Sequence, residues 1–183
     1  MALKYSSMLE LGTAIPEFEL INVLENQIFS SLSLENNRPT LLMLICNHCP
    51  YVIHYHEELQ RITKDFHSLV DLVAISSNDA MNYPQDGPEE MKALFDSLGL
   101  SFPYLYDETQ NMAKVLQAQC TPEFYLYNGQ GVLVYRGRLD DSSPGNDIKV
   151  SGKDLRDAIN ALLGGQSINE FQQPSMGCSI KWK

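Results

Sequence analysis

Residues 40–60, TLLMLICNHCPYVIHYHEELQ, decide how the rest of the chain is read. After Thr40 every position to Cys46 is apolar, the pattern of a strand covered on both faces. From Val52 the apolar positions fall at Val52, Tyr55, Leu59, Ile62 and Phe66, and steps of three and four mark one face of a helix. A second buried run, SLVDLVAIS at 68–76, follows it. Strand, helix and strand make a βαβ unit, whose parallel crossover is right-handed.

Cys46 and Cys49 sit where that strand hands over to the helix, the place where open α/β sheets put reactive groups. Asn47 reads as the helix cap, and Pro50 suits a first turn whose N–H groups lack partners. Those N–H groups and the helix dipole would hold a thiolate at Cys46. His48 adds positive charge between the two or stays neutral. Cys49, one turn on, is placed to attack a mixed disulfide made by Cys46. Two other readings compete. In the first both cysteines are buried core residues, although a cap position beside Asn47 packs poorly. In the second they join His54 and His56, with Cys120 and Cys178 in reserve, around a metal. A zinc site needs about four ligands converging tetrahedrally, and His54 and His56 on one helix do not face each other. The expectation is no metal and no cofactor.

The 183 residues suffice for one well-buried domain, with a core over about 15–165 and a tail at 166–183. Hydrophobic residues at 44% and charged residues at 20% are ordinary for a globular chain. The formal net charge of -10 disfavours nucleic acid or an anionic membrane as partner. The first residues contain no apolar core of signal-peptide length, and no run approaches the roughly 18 residues of a bilayer span. A cytoplasmic address is therefore expected. Four cysteines are too few for a secreted disulfide scaffold, and a close pair in a reducing compartment is reactive or metal-binding.

Outward from the dithiol, EFELINV (17–23) reads as an early strand, and QIFSSLSLE (27–35) as its hairpin partner or an irregular segment. PEEMKALFDSLGL starts a helix at Pro88 and stops it at Gly99. TQNMAKVLQAQ is a short helical candidate. EFYLYNGQGVLVYRGRL is a hairpin turning around Asn128-Gly129-Gln130-Gly131. KDLRDAINALLGG is a last amphipathic helix ended by glycine. The tail QSINEFQQPSMGCSIKWK has no clear period. Together these give an α/β fold: one mixed sheet flanked by helices on both faces, its parallel part first and an antiparallel hairpin closing it.

GTAIPEFEL, ICNHCPYV, CTPEFYLYNGQGVLVYRG and PSMGCSIKWK, in that order, resemble the thioredoxin-like superfamily. The nearest branch is the peroxiredoxin-like, AhpC/TSA-related redoxins, in the group whose active site reads C-N-H-C-P. The resemblance implies a thioredoxin-like fold with extra N-terminal strands and a C-terminal tail. It implies a nucleophile at Cys46, a resolving thiol at Cys49, and a cis proline at Thr121-Pro122 facing them. Such a chain acts on disulfides of proteins or small molecules; a thiol-dependent peroxide reductase and a redox-regulated, metal-binding interaction protein are the rivals. The chain departs from thioredoxin at Ile45, where a tryptophan is usual, at Asn47-His48 in place of Gly-Pro, and at Thr40 in place of a buried acid. Peroxiredoxins carry P-x-x-x-T-x-x-C; Pro39 fits, but Met43 stands where the threonine orients peroxide, and Arg38 is no obvious replacement for the peroxide-binding arginine.

Cys120 and Cys178 are the candidate auxiliary thiols. If the tail folds over the body, Cys178 would pair or exchange with Cys120 and relay to the dithiol; otherwise Cys120 is buried and Cys178 lies in a frayed terminus. Glu123, directly after Pro122, is a candidate neighbour of the dithiol, whereas Tyr83, Asp86, Asp107, Arg136 and Arg138 read as loop or strand-face residues.

Overall fold

The computed structural model describes residues 3–35 and 37–183. After β1 (Leu3–Tyr5), a hairpin is formed by β2 (Glu19–Asn22) and β3 (Gln27–Ser30), in register from Glu19↔Ser30 to Asn22↔Gln27. The apolar run becomes β4 (Thr40–Leu44), with every residue buried. The expected single helix is two, α1 (Pro50–His54) and α2 (His56–Phe66). They part at Tyr55, whose amide closes a tight bond to the Val52 carbonyl and whose φ of -99° and ψ of 1° leave the helical region. The Tyr55 hydroxyl donates to the Ser142 carbonyl at 2.6 Å, which anchors the break.

Next comes β5 (Asp71–Ser76), parallel to β4 from Thr40↔Asp71 to Leu44↔Ile75. Helix α3 (Pro88–Leu98) has its proline in the first turn and ends on Gly99 at φ 64°, a left-handed cap that glycine adopts without penalty. Then follow β6 (Tyr104–Tyr106), α4 (Asn111–Val115), β7 (Cys120–Thr121), β8 (Glu123–Tyr127), β9 (Leu133–Gly137), α5 (Lys153–Leu163) and β10 (Met176–Ser179).

Seven strands form the main sheet in the order β3-β2-β6-β5-β4-β8-β9. The chain steps from β4 to β5 to β6 in one direction through right-handed crossovers, so both crossover segments lie on one face. It then returns past β4 to β8, and α4 covers the opposite face. On the first face Leu59, Ile62, Phe95 and Ile159 pack on Met43 and Phe124; on the second Met112 and Leu116 pack on Leu42, Leu44 and Tyr125. Each such buried side chain contributes roughly 1.5–3 kcal/mol of apolar transfer. The fold is α/β and thioredoxin-like, a central mixed sheet flanked by helices.

A small second sheet, β1-β10-β7, sits beside the carboxyl end of β4. Its middle strand is the tail that shows no period in sequence. Strand β6, three residues long, is equally invisible to periodicity. No described helix is long and apolar enough to cross a membrane.

Candidate active site

Cys46 lies two residues beyond β4, and Cys49 caps α1. The cap is therefore Cys49, not Asn47, and the Val52 N–H of the first turn, which donates to the Cys49 carbonyl at 2.9 Å, favours the charged form of Cys49 rather than of Cys46. The reason is a turn at 46–48 wound around a carboxylate. Asp86 Oδ1 accepts the backbone N–H of Asn47 at 2.8 Å and of His48 at 3.2 Å. The Asn47 side chain points elsewhere, its oxygen accepting the Tyr104 hydroxyl at 3.2 Å. Pro50 opens α1, where its missing N–H costs nothing.

The two thiols shift each other in opposite directions, Cys46 upward and Cys49 downward. The Thr121–Pro122 bond is cis, and Thr121 faces the pair. Its Oγ1 lies 3.3 Å from Cys46 Sγ, and its carbonyl oxygen 3.2 Å from Cys49 Sγ. All four cysteines are free thiols. Cys46 is 1% exposed and Cys49 0%, so the dithiol is roofed over.

Within the pair, ionisation is favoured at Cys49 over Cys46. Hydrogen bonds from Cys46, from Cys178 and from Val52 N–H hold the Cys49 thiol down to about 5, against the opposing effect of burial. The Thr121 carbonyl oxygen favours a proton on Cys49, but three donors outweigh that one acceptor. Cys46 is pushed well above its ordinary value, first as the hydrogen-bond partner of Cys49, then by burial and by the negative charge of Asp86.

Asp86 is the functional residue that sequence reasoning missed. It is fully buried, and its Oδ2 accepts His48 Nδ1 at 2.6 Å and Asn78 Nδ2 at 2.8 Å. The His48 ring stacks on Tyr83 with centroids 5.6 Å apart and planes 5° apart. The link between His48 and Asp86 spans 38 positions, and nothing local in YPQDG announces it. Cys46, His48 and Asp86 present donor atoms within 4.8 Å of one another. They make only three of the about four ligands that zinc takes, and the Asp86 oxygens already accept four hydrogen bonds. Of the histidines weighed as ligands, His54 spends its Nε2 on Ser142 Oγ at 2.6 Å.

Glu123 does not face the dithiol. It lies opposite Leu44 on the other face of the sheet, where its Oε1 accepts the N–H groups of Gln119 and Cys120 at 2.8 and 3.0 Å. Burial raises its carboxyl, and it also raises Cys120, 3.5 Å from Glu123 Oε1. Cys178 belongs to β10, directly opposite Thr121, whereas Cys120 stands opposite Ser179. Neighbouring residues of a strand point to opposite faces, so Cys178 turns toward the dithiol and Cys120 away. A Cys120–Cys178 pair is not formed; Cys178 lies on the Thr121 face with the dithiol instead.

Arg38 lies at the far end of β4, where it bonds Glu35, Asp71 and the carbonyls of His67 and Val70. Met43 is buried in the core. Among the described residues no arginine hydrogen-bonds Cys46.

Known proteins share this frame. A structure titled as that of an uncharacterized conserved protein from Geobacillus kaustophilus is 48% identical, with a TM-score of 0.97, over 100% of this chain and 97% of its own. The chain is also similar to Thiol:disulfide interchange protein DsbE of Haemophilus influenzae (26% identical over 69% of the chain) and of Yersinia pestis (30% over 72%). The match spans just under two thirds of those relatives, 65% and 66% of their lengths. They correct the cytoplasmic expectation, because DsbE-like proteins are periplasmic or membrane-associated. The AhpC/TSA family profile matches residues 11–136, most of the length from β2 to β9 with Cys46, Cys49 and Cys120 inside it, and the chain belongs to the AhpC/TSA family.

Proposed function

We propose that this chain is a thiol-disulfide oxidoreductase whose working pair is Cys46–Cys49, acting on a disulfide-containing protein or small disulfide. The observation that carries the reading is the buried thiol pair at the carboxyl end of β4, with both sulfurs within 3.3 Å of Thr121 beside its cis bond to Pro122. Similarity to the two Thiol:disulfide interchange proteins supports it. Cys46 attacks one sulfur of the substrate disulfide and passes its proton to the Cys49 thiolate. The substrate's other sulfur leaves as a thiolate. Cys49 then attacks Cys46, the Cys46–Cys49 bond forms, and the Cys49 proton goes to a departing substrate sulfur. Thr121 positions the pair through its hydroxyl and carbonyl, Pro122 fixes the end of β7, and His48 with Asp86 holds the turn that carries Cys46. The finer assignment is a redoxin of the C-N-H-C-P type, built as one domain over 1–183 with its core at about 15–165.

Trapping tests the roles. Cys49→Ser exposed to oxidised glutathione should accumulate one glutathione on Cys46, seen by intact mass and peptide mapping, because the resolving thiol is gone. Recovery of Cys46 as a free, alkylatable thiol would contradict the assignment. A peroxide reductase is the second reading, favoured by AhpC/TSA membership. Met43 in place of a hydroxyl and the distant engagement of Arg38 weigh against it.

A further inference from the structure

Strand β10 lies antiparallel on β7, Cys178 opposite Thr121 and Ser179 opposite Cys120. The backbone edge beside the dithiol, where an incoming extended chain would add as a strand, is thus filled by the protein's own tail. Gly177 makes the close approach: a Cβ there would stand 2.0 Å from the Thr121 carbonyl oxygen. The tail is tied down on both sides of Cys178. Before it, Ser175 N donates to Ser6 Oγ at 2.9 Å. After it, Lys181 N donates to Asn78 Oδ1 at 2.9 Å and the Lys181 carbonyl accepts Gln110 Nε2 at 2.8 Å. Strand β1 closes the outer edge, with Leu3 opposite Cys178.

In this seat Cys178 lies across from Thr121, the residue that both dithiol sulfurs touch, and burial and the nearby Cys49 raise its thiol. All three thiols gather on Thr121: Cys46 Sγ lies 3.3 Å from its hydroxyl, Cys49 Sγ 3.2 Å from its carbonyl oxygen, and Cys178 is its partner across the strands. All three belong to one buried cluster, and Cys178 is itself only 5% exposed. A disulfide arriving from outside meets the tail before it meets the pair.

We infer that Cys178 is a third redox thiol of this site, and that the C-terminal strand is a built-in client of the dithiol, taking over its disulfide as a Cys49–Cys178 bond. This rests on the reading of Cys46–Cys49 as an exchanging pair. Once that pair is oxidised, the Cys178 sulfur attacks Cys49. The Cys49–Cys178 bond forms as the Cys46–Cys49 bond breaks, and Cys46 leaves as a thiolate that takes the Cys178 proton. The number of disulfides is unchanged, so no outside oxidant or reductant is consumed. The exchange returns Cys46 as a thiol and locks the tail covalently to the start of α1.

Full-length protein is oxidised with glutathione disulfide, quenched in acid, alkylated and mapped by peptide mass spectrometry. The wild type should yield Cys49–Cys178 cross-linked peptides beside Cys46–Cys49. In Cys46→Ser the intramolecular Cys49–Cys178 bond should be the main product, with Cys120 alkylated. The inference is overturned if Cys46→Ser instead carries glutathione on Cys49 while Cys178 is recovered as a free thiol. Should that variant misfold, the wild type decides alone, and complete alkylation of Cys178 in all oxidised molecules overturns it. Cys178→Ser separates the two levels: failure of that variant to form Cys46–Cys49 would overturn the exchanging pair itself.

Discussion

Asp86 accepts two backbone N–H groups, an imidazole and an amide, and in doing so it places one buried negative charge beside Cys46. That charge helps keep the proton on Cys46 and the thiolate on Cys49. The ultraviolet thiolate absorbance of the reduced protein should therefore rise in a first step near pH 5. The thiolate persists at all higher pH and is lost as pH falls through that value, because the folded pKa of Cys49 is depressed to about 5. The next steps lie high: Cys178 is pushed up to about 12 by burial first, then by its Cys49 partner, and Cys46 is raised well above its ordinary value. Asp86→Asn should make Cys46 easier to ionise, because it removes a negative charge that helps hold the proton there. It should also cost about 1–3 kcal/mol in urea unfolding, since Asn78 would then face an amide nitrogen. A single titration step at the ordinary thiol value, unmoved by Asp86→Asn, would contradict the assignment. At this scale the sequence made Cys46, Cys49, Thr121 and Pro122 legible, through spacing and resemblance. Asp86 was not, because its role depends on how a loop folds back across 38 positions, which no period records.

Strands and helices were legible where burial is one-sided or complete over a long run. Strand β4, the β8–β9 hairpin, and α3 between Pro88 and Gly99 carry their own signals. The break at Tyr55 was hidden because the apolar face continues across it; only the Tyr55 anchor to Ser142 marks it. Strand β10 was hidden for a different reason. MGCS has no alternation, and its place is set by partners on both edges and by the absence of a side chain at Gly177. Gly177→Ala should push the strand from Thr121 and cost about 1–3 kcal/mol of stability, as overpacking does. Urea melts measure that loss, and faster alkylation of Cys46 and Cys49 in the native protein should accompany it. An unchanged midpoint with unchanged alkylation would mean that the tail does not roof the pair.

Over the whole molecule, the order of β4, β5 and β6 in one direction and β8 in the other brings the loop after β4, the start of α1, β7 and the tail to one end of the sheet. The βαβ signature and the closing hairpin made that mixed sheet readable. The three-stranded flap β1-β10-β7 was not, since its strands are two to four residues long and lie far apart in the chain. The address was also misread, and similarity to the DsbE proteins is what corrects it. The central claim is that Cys46 begins an exchange that Cys49 completes. Its most direct test is insulin-disulfide reduction driven by dithiothreitol, followed as turbidity. The wild type should shorten the lag relative to dithiothreitol alone and Cys46→Ser should fall to that background; a Cys46→Ser variant as fast as the wild type would contradict the account.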